Sequence, residues 1–418
     1  MNELDLELLC TKCGARYPLH DFVYYCRKCG YPLEVSLDFD KTWLTKDMLV
    51  NRPQSMWRYR ELLPVSQEKH VVTLSEGWTP LRRSRRLAEA LGLKEIYIKD
   101  ETRNPTWSFK DRGSSAGVSK ALELGLKAVG CASSGNMASS LAAYAAAAGI
   151  RCLVLVPSQT PEEKVVQMEI CGAQVVVVEK PYPEICSVGL ETSGEWGIYW
   201  IHNDAPLRVE GQKTCSYEVA EQLSWNPPDW VVIPTSSGGN LSAHWKGWLE
   251  LERIGWTRDF PSLVAVQAEG CSPIVKAFKE HRESVSYFEE VSTIASSISN
   301  PFPPSGERVL RILRDSRGIA ESVSDAEMLR AQTLLASTEG LFAEPSSAAS
   351  IAVLSKLLRS GSIDPAERIV CVITGSGLKD VKHAARREAR PLVFKDWGEY
   401  RSHIAGLFGN EERTRRQV

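Results

Sequence analysis

What most limits the folds open to this chain is one repeated unit. A short run rich in Val, Ile and Ala ends in small polar residues and leads into a helical pattern. KEIYIKD (94–100), LKAVGCAS (126–133), IRCLVLVP (150–157), AQVVVVEK (173–180), DWVVIPTSSGG (229–239), SLVAVQAEG (262–270) and RIVCVITGSG (368–377) are such runs. The helical patterns include SKALELG, NMASSLAAYAAAAG, TPEEKVVQMEICG, DAEMLRAQTLLASTEG and SSAASIAVLSKLLRSG. β-branched strands alternating with helices predict parallel sheets covered on both faces. Small polar residues at the strands' carboxyl ends put ligand sites there. The predicted fold is α/β: two open, mostly parallel sheets with flanking helices and a site in the cleft between them.

The first forty residues follow a different rule. CTKCGARYPLHDFVYYCRKCG is C-x2-C, twelve residues, then C-x2-C, with Gly14 and Gly30 closing the two knuckles. Cys10, Cys13, Cys26 and Cys29 suit a closed tetrathiolate shell around Zn2+. YPLHDFVYY between them is too short for a core of its own, so the metal would be a structural staple, with no open position for catalysis. A nucleic-acid-binding ribbon using Lys12, Arg16, Arg27 and Lys28 is disfavoured by the opposing charge of LEVSLDFDK next to it. The predicted domains are a zinc ribbon at 1–40, a catalytic body at 41–390 and a charged tail at 391–418. Within the body, a small subdomain (about 115–205) is inserted in a large one (about 41–114 and 206–390).

The formal net charge of −2 gives no electrostatic case for nucleic acid or a membrane surface. No apolar run reaches transmembrane length, and MNELDLELLC is acidic where a signal peptide is basic. The expected location is cytoplasmic. Seven further cysteines are scattered, several in apolar runs, and read as free thiols rather than a disulfide framework.

Three strand ends and one helix start carry the chemistry. In PTWSFKDRGSS, S-x-x-D precedes a helical pattern, so Ser108 is expected to cap the helix with Asp111 in its first turn. Lys110 then stands at the cleft mouth. TSSGGN (235–240) lies between a strand and a helix, where converging backbone N–H groups and the helix start bind an anion. It lacks the GKS or GKT ending of a nucleoside-triphosphate loop. ASSGN (132–136) has donors for a carboxylate, and Thr374 of TGSG leaves a strand end. Together they suit a phosphorylated aldehyde cofactor.

The ordered set NPTWSFKDRG, ASSGN, RVEGQKT, PTSSGGN, TEGLFAEPSSAAS and TGSGLKD resembles the threonine synthases. These lie within the tryptophan-synthase-beta-like (fold type II) group of pyridoxal-phosphate enzymes. The resemblance runs from about residue 57 to 382 and takes in the ribbon. It implies pyridoxal 5'-phosphate and structural Zn2+ as cofactors. Lys110, after Phe109, is implied as the Schiff-base lysine, Asn136 as the contact to the cofactor's ring oxygen, and Thr374 as partner of the pyridine nitrogen. Ser236, Ser237, Gly238, Gly239 and Asn240 match the cofactor-phosphate loop, and Ser133 and Ser134 the substrate-carboxylate loop. Arg208 matches an arginine that helps hold the substrate phosphate. The implied reaction is that of a carbon–oxygen lyase in threonine biosynthesis. O-phospho-L-homoserine and water give L-threonine and phosphate by γ-elimination and β-addition. The expected partner is a small, phosphorylated amino-acid substrate, with no nucleic acid or membrane; a homodimer is left open.

Three departures from the family pattern bear on substrate. Trp78 replaces an asparagine in EGWTPL, Trp107 a glycine in NPTWSFKDRG, and Met137 a threonine in SSGNM. TSSGGN also stands where the family has V-G-N-x-G-N. The three exchanges add apolar volume near the expected pocket, so Trp78, Trp107 and Met137 are candidate substrate contacts. Losing a charge-assisted hydrogen bond to phosphate costs about 1.5–3 kcal/mol unless an indole N–H replaces it. The alternative is a related elimination or replacement enzyme, or a serine/threonine dehydratase, acting on another amino acid.

Overall fold

The computed structural model describes residues 6–21, 23–39, 42–180, 182–384 and 392–415. Met1–Ala384 form one compact unit and Ala385–Val418 a second, in which Trp397–Arg415 is helical. The domain boundaries expected at 40/41 and 390/391 fall outside the described residues.

Strands Glu7–Leu9 (β1), Arg16–Pro18 (β2) and Glu34–Ser36 (β3) make an antiparallel sheet in the order β2-β1-β3. Its two cysteine knuckles turn at Gly14 (φ 75°) and Gly30 (φ 70°). Each of those N–H groups returns to the carbonyl of the knuckle's first cysteine, at 2.9 and 2.8 Å. An L-side chain rarely adopts such a φ, so glycine is the residue that lets the knuckle close.

Leu81–Arg83 (β4) and Glu95–Asp100 (β5) begin the large sheet. Ala128–Ala132 (β6), Arg151–Pro157 (β7), Gln174–Val178 (β8) and Ile198–Trp200 (β9) form a separate, wholly parallel sheet in the order β8-β7-β6-β9. The chain then returns to the large sheet with Trp230–Pro234 (β10), Ser262–Ala268 (β11), Ile319–Val323 (β12) and Arg368–Ile373 (β13). Its order is β12-β11-β10-β13-β5-β4, parallel except for β4 at the edge. Helices cover both faces, which is why β6 and β10 are buried at every residue and read as continuous apolar runs. The two open parallel sheets expected from the alternation are present.

Register sets the cleft. Ile373 pairs with Asp100 and Pro234 with Val266, which brings the residues after β5, β10 and β13 to one carboxyl edge. In the small sheet Ala132 pairs with Leu155, so Ser133 and Pro157 end together. Two apolar clusters fill the large sheet and its helices. A third joins small-sheet residues such as Val129 and Trp200 to ribbon residues such as Tyr24, Leu33 and Val35, so ribbon and small sheet share a core. Five of the seven scattered cysteines are buried, and Cys171 and Cys186 are half-buried.

Candidate active site

Between the two carboxyl edges lies a cavity of about 320 Å3. Phe109, Lys110, Ser133, Ser134, Asn136, Met137, Arg208, Thr374 and the whole loop Ser236–Asn240 line it, so elements far apart in sequence converge there.

Lys110 opens the helix Lys110–Glu123, but the helix start is not built as expected. Phe109 occupies the capping position without a side-chain cap, and the Ser108 hydroxyl has no hydrogen-bond partner. Asp111 instead turns back to accept the Thr106 N–H (2.7 Å), the Thr106 hydroxyl (2.5 Å) and the Ser140 hydroxyl (2.6 Å). Burial lifts Asp111 to about 6 despite these donors. One residue on, Arg112 is locked in a buried cluster with Glu101, Glu218 and Lys99. The helix start carrying Lys110 is therefore fixed from behind by ions rather than by a serine cap. The Lys110 amine sits 4.3 Å from the centre of the Phe109 ring. Burial and the Arg208 charge hold it well below the ordinary lysine range, against Glu344 and Asp204.

The loop after β10 needs both of its glycines. Gly238 has φ 95°, and a Cβ there would meet Val309 Cγ2 at 2.7 Å and Ser305 Cβ at 2.9 Å. A Cβ on Gly239 would lie 2.6 Å from the Asn203 carbonyl oxygen. The helix Gly239–Arg253 begins here, and Gly239, Asn240 and Leu241 of its first turn, where a helix's N–H groups lack intrahelical partners, line the cavity. Ser237 Oγ accepts from Asn203 Nδ2 (2.9 Å) and Asn300 Nδ2 (2.8 Å), which leaves its own proton to donate. Asn240 Nδ2 is buried without a partner among the described residues. Spare donors at a helix start are what a phosphate requires.

Opposite, Gly135 caps the helix Asn136–Ala148, and Asn136 Nδ2 donates to Glu344 Oε2 at 3.1 Å. Thr374 Oγ1 and Ser347 Oγ share a hydrogen bond of 2.8 Å at the end of β13. Arg208 is fully buried in the helix Pro206–Gln222, with Nη1 on the Met137 sulfur at 2.5 Å. With the Gln212 amide turned oxygen-first, that oxygen accepts from Arg208 Nε and Nη2 at 3.1 Å each.

Trp78 and Trp107 are not among the lining residues. The Trp78 ring stacks on the Arg58 guanidinium at 4.0 Å, and Trp107 is 50% exposed. Both are left-handed, with φ 47° and 65°. Asparagine and glycine tolerate this conformation, and a bulky side chain pays about 1–2 kcal/mol for it. The exchanges at these two turns thus alter backbone strain, whereas Met137 does enter the cavity.

The cavity also holds residues without an individual assignment from sequence. Glu344 and Lys379 sit inside quoted motifs, but no spacing singled them out. Lys379 Nζ donates to the Thr106 carbonyl (2.9 Å) and Ser139 Oγ (3.0 Å), tying the end of β13 to the Asn136–Ala148 helix. Asn203 and Asn300 lie in no motif, and only folding brings them to Ser237.

In the ribbon, the sulfurs of Cys10, Cys13, Cys26 and Cys29 all lie within 4.8 Å of one another. Cys10–Cys29 and Cys13–Cys26 are 3.5 Å apart and Cys13–Cys29 3.7 Å. A tetrahedron with metal–sulfur bonds of about 2.3 Å has edges of about 3.8 Å, so the four thiols fit a metal ion.

Comparison with known proteins agrees with this geometry. Residues 72–375 match the model of the family described as pyridoxal-phosphate dependent enzyme. A threonine synthase of Methanocaldococcus jannaschii is 42% identical over 386 residues, covering 92% of this chain and 95% of that protein. One of Methanosarcina acetivorans is 41% identical over 374 residues, covering 89% and 92%. Among solved structures, the processed form of threonine deaminase isoform 2 from Solanum lycopersicum shares the fold. Its TM-score is 0.63 at 22% identity, covering 82% of this chain and 96% of that one. The chain belongs to the fold-type II pyridoxal-phosphate dependent enzymes, and within them to the threonine synthases.

Proposed function

We propose that this chain converts O-phospho-L-homoserine and water to L-threonine and phosphate. One observation carries the reading: Lys110, Arg208 and two helix starts rich in donors line a single cavity. Pyridoxal phosphate, when bound, supplies the aldehyde that captures the substrate amine and the electron sink that labilises the neighbouring C–H bonds. Lys110 is the covalent anchor and, once released, the base. Burial and the Arg208 charge lower its pKa, which favours the neutral amine that would take a proton from Cα and return one nearby. Ser236–Asn240 would hold the cofactor phosphate through backbone N–H groups, Ser237 Oγ–H and Asn240 Nδ2. Thr374, paired with Ser347, would offer a neutral hydroxyl to the ring nitrogen, and Asn136 would serve the ring oxygen. Ser133 and Ser134, before the helix start at Asn136, receive the substrate carboxylate.

Arg208 is the anchor for the leaving phosphate. A thioether is a weak acceptor, so an anionic oxygen readily displaces Met137 sulfur from Nη1. Glu344 and Lys379 line the same cavity and orient Asn136 and Ser139. The expected small subdomain, about 115–205, would be one wall of the cleft, with Lys379 as one of its ties. Zn2+ is the metal we assign to Cys10, Cys13, Cys26 and Cys29, as a structural ion.

Incubation with O-phosphohomoserine should release phosphate and threonine in equal amounts. Phosphate accompanied by 2-oxobutyrate would instead support a dehydratase, and no turnover would reject the substrate.

A further inference from the structure

The ribbon does more than sit beside the body. Two of its four tyrosines, Tyr24 and Tyr25, immediately precede Cys26, and both reach the segment that backs the loop Ser236–Asn240. Tyr24 Oη accepts the Trp200 N–H at 3.0 Å, and its ring meets the His202 ring edge-on at 4.8 Å. The Tyr25 ring stacks on the His202 ring at 5.6 Å, and Asp204, two residues on, is fully buried. Asp204 Oδ1 in turn accepts from Ser305 Oγ at 2.7 Å.

His202–Asp204 and Ser305 are the two walls of that loop. Asn203 Nδ2 donates to Ser237 Oγ, and the Asn203 carbonyl is what excludes a Cβ from Gly239. The Ser305 N–H donates to the Ser237 carbonyl at 3.0 Å, and Ser305 Cβ excludes one from Gly238. The second wall is also tied to the ribbon. Ser305 leads into the helix Gly306–Asp315, where Glu307 pairs with Lys12 at 2.5 Å. In the same helix Arg308 donates to the Pro32 carbonyl, and Arg311 donates to the Thr11 carbonyl at 2.9 Å. The ribbon thus grips both segments between which the loop is held.

We propose that the metal-closed ribbon positions the cofactor-phosphate loop, with Tyr24 acting through Trp200 and His202 as its principal positioning residue. This rests on the reading of Ser236–Asn240 as the phosphate loop. Filling the four-cysteine site fixes the Tyr24–Tyr25 step, which presses His202–Asp204 and Ser305 onto the loop. Emptying it relaxes the grip on the phosphate while Lys110 and the rest of the cavity stay in place.

The discriminating measurement compares dissociation constants for pyridoxal phosphate and for pyridoxal, which lacks the phosphate, on full-length protein freed of cofactor. Wild type with metal should prefer the phosphorylated form strongly. Tyr24→Phe, which removes the acceptor of the Trp200 N–H, should weaken pyridoxal phosphate about tenfold, the worth of one polar contact, and leave pyridoxal unchanged. Protein stripped of metal, with its four ribbon thiols titrating freely, should lose more of the preference and regain it on adding Zn2+. An unchanged preference in stripped protein, or a parallel fall for both ligands in Tyr24→Phe and stripped protein alike, overturns the proposal. A metal-filled wild type with no preference overturns the phosphate-loop assignment itself, and the proposal with it.

Discussion

Replacing Glu218 by glutamine tests how the helix start that carries Lys110 is held. Glu218 is fully buried, and its carboxylate accepts from four donors. Arg112 Nη1 lies at 2.5 Å from Oε1; Arg112 Nη2 (2.8 Å), Lys99 Nζ (2.7 Å) and Thr79 N (3.1 Å) meet Oε2. Burial opposes its charge, yet Arg112 and Lys99 hold it below the usual carboxylate range. Lys99 and Arg112 balance Glu101 and Glu218, so the cluster is neutral as built. Glu218→Gln leaves one uncompensated positive charge and turns an N–H toward donors. Breaking a buried pair from one side costs about 3–5 kcal/mol. Urea unfolding followed by circular dichroism should show that loss. Cofactor absorbance should disappear at lower urea than helicity, because Arg112 is two residues from Lys110. Adding Lys99→Met removes the orphaned charge and should recover more than half of the stability. A single variant within about 1 kcal/mol of wild type, or strictly additive effects in the double variant, would refute the reasoning.

Two further outcomes follow from named contacts. Met137→Thr replaces a thioether beside Arg208 with a hydroxyl that can donate to phosphate, so KM for O-phosphohomoserine should fall about tenfold with a smaller change in kcat. A higher KM would mean that Met137 serves the pocket by packing. The second concerns acid. Burial opposes ionisation of Glu101, but Arg112 holds it at about 2, below its ordinary 4.5. Its contribution of about 3 kcal/mol is full above the unfolded value and is lost as pH falls from 4.5 towards 2. Urea midpoints of the wild type should drop through that window, and those of Glu101→Gln should drop less.

Legibility differed by the kind of information each feature needs. The strands and the convergence of TSSGGN, ASSGN and TGSG on one cleft follow from local periodicity and from the rule that loops at parallel carboxyl edges meet. The four-cysteine cluster was legible for a similar reason, since C-x2-C spacing places its thiols by local geometry. Ser108 was misread because S-x-x-D also suits a chain in which the acid serves the preceding turn, and Thr106 and Ser140 are where Asp111 goes. Trp78 and Trp107 were expected in the pocket because they add bulk at family-motif positions close to it. Their positive φ explains why asparagine and glycine stand there in the family, but the sign of a torsion is not visible in one sequence. Asn203, Asn300 and the ties from Tyr24 to Trp200 and His202 depend on contacts between segments separated by tens to hundreds of residues, which no local pattern encodes.

The central claim is that Lys110 is the covalent anchor of the cofactor in this cavity. Borohydride reduction of the holoenzyme followed by peptide mapping tests it most directly. The account predicts one phosphopyridoxyl label per chain, on the peptide carrying Lys110, and none in Lys110→Ala. A label on Lys379, Lys164 or any other lysine, or a wild type that takes none after reconstitution, would contradict it.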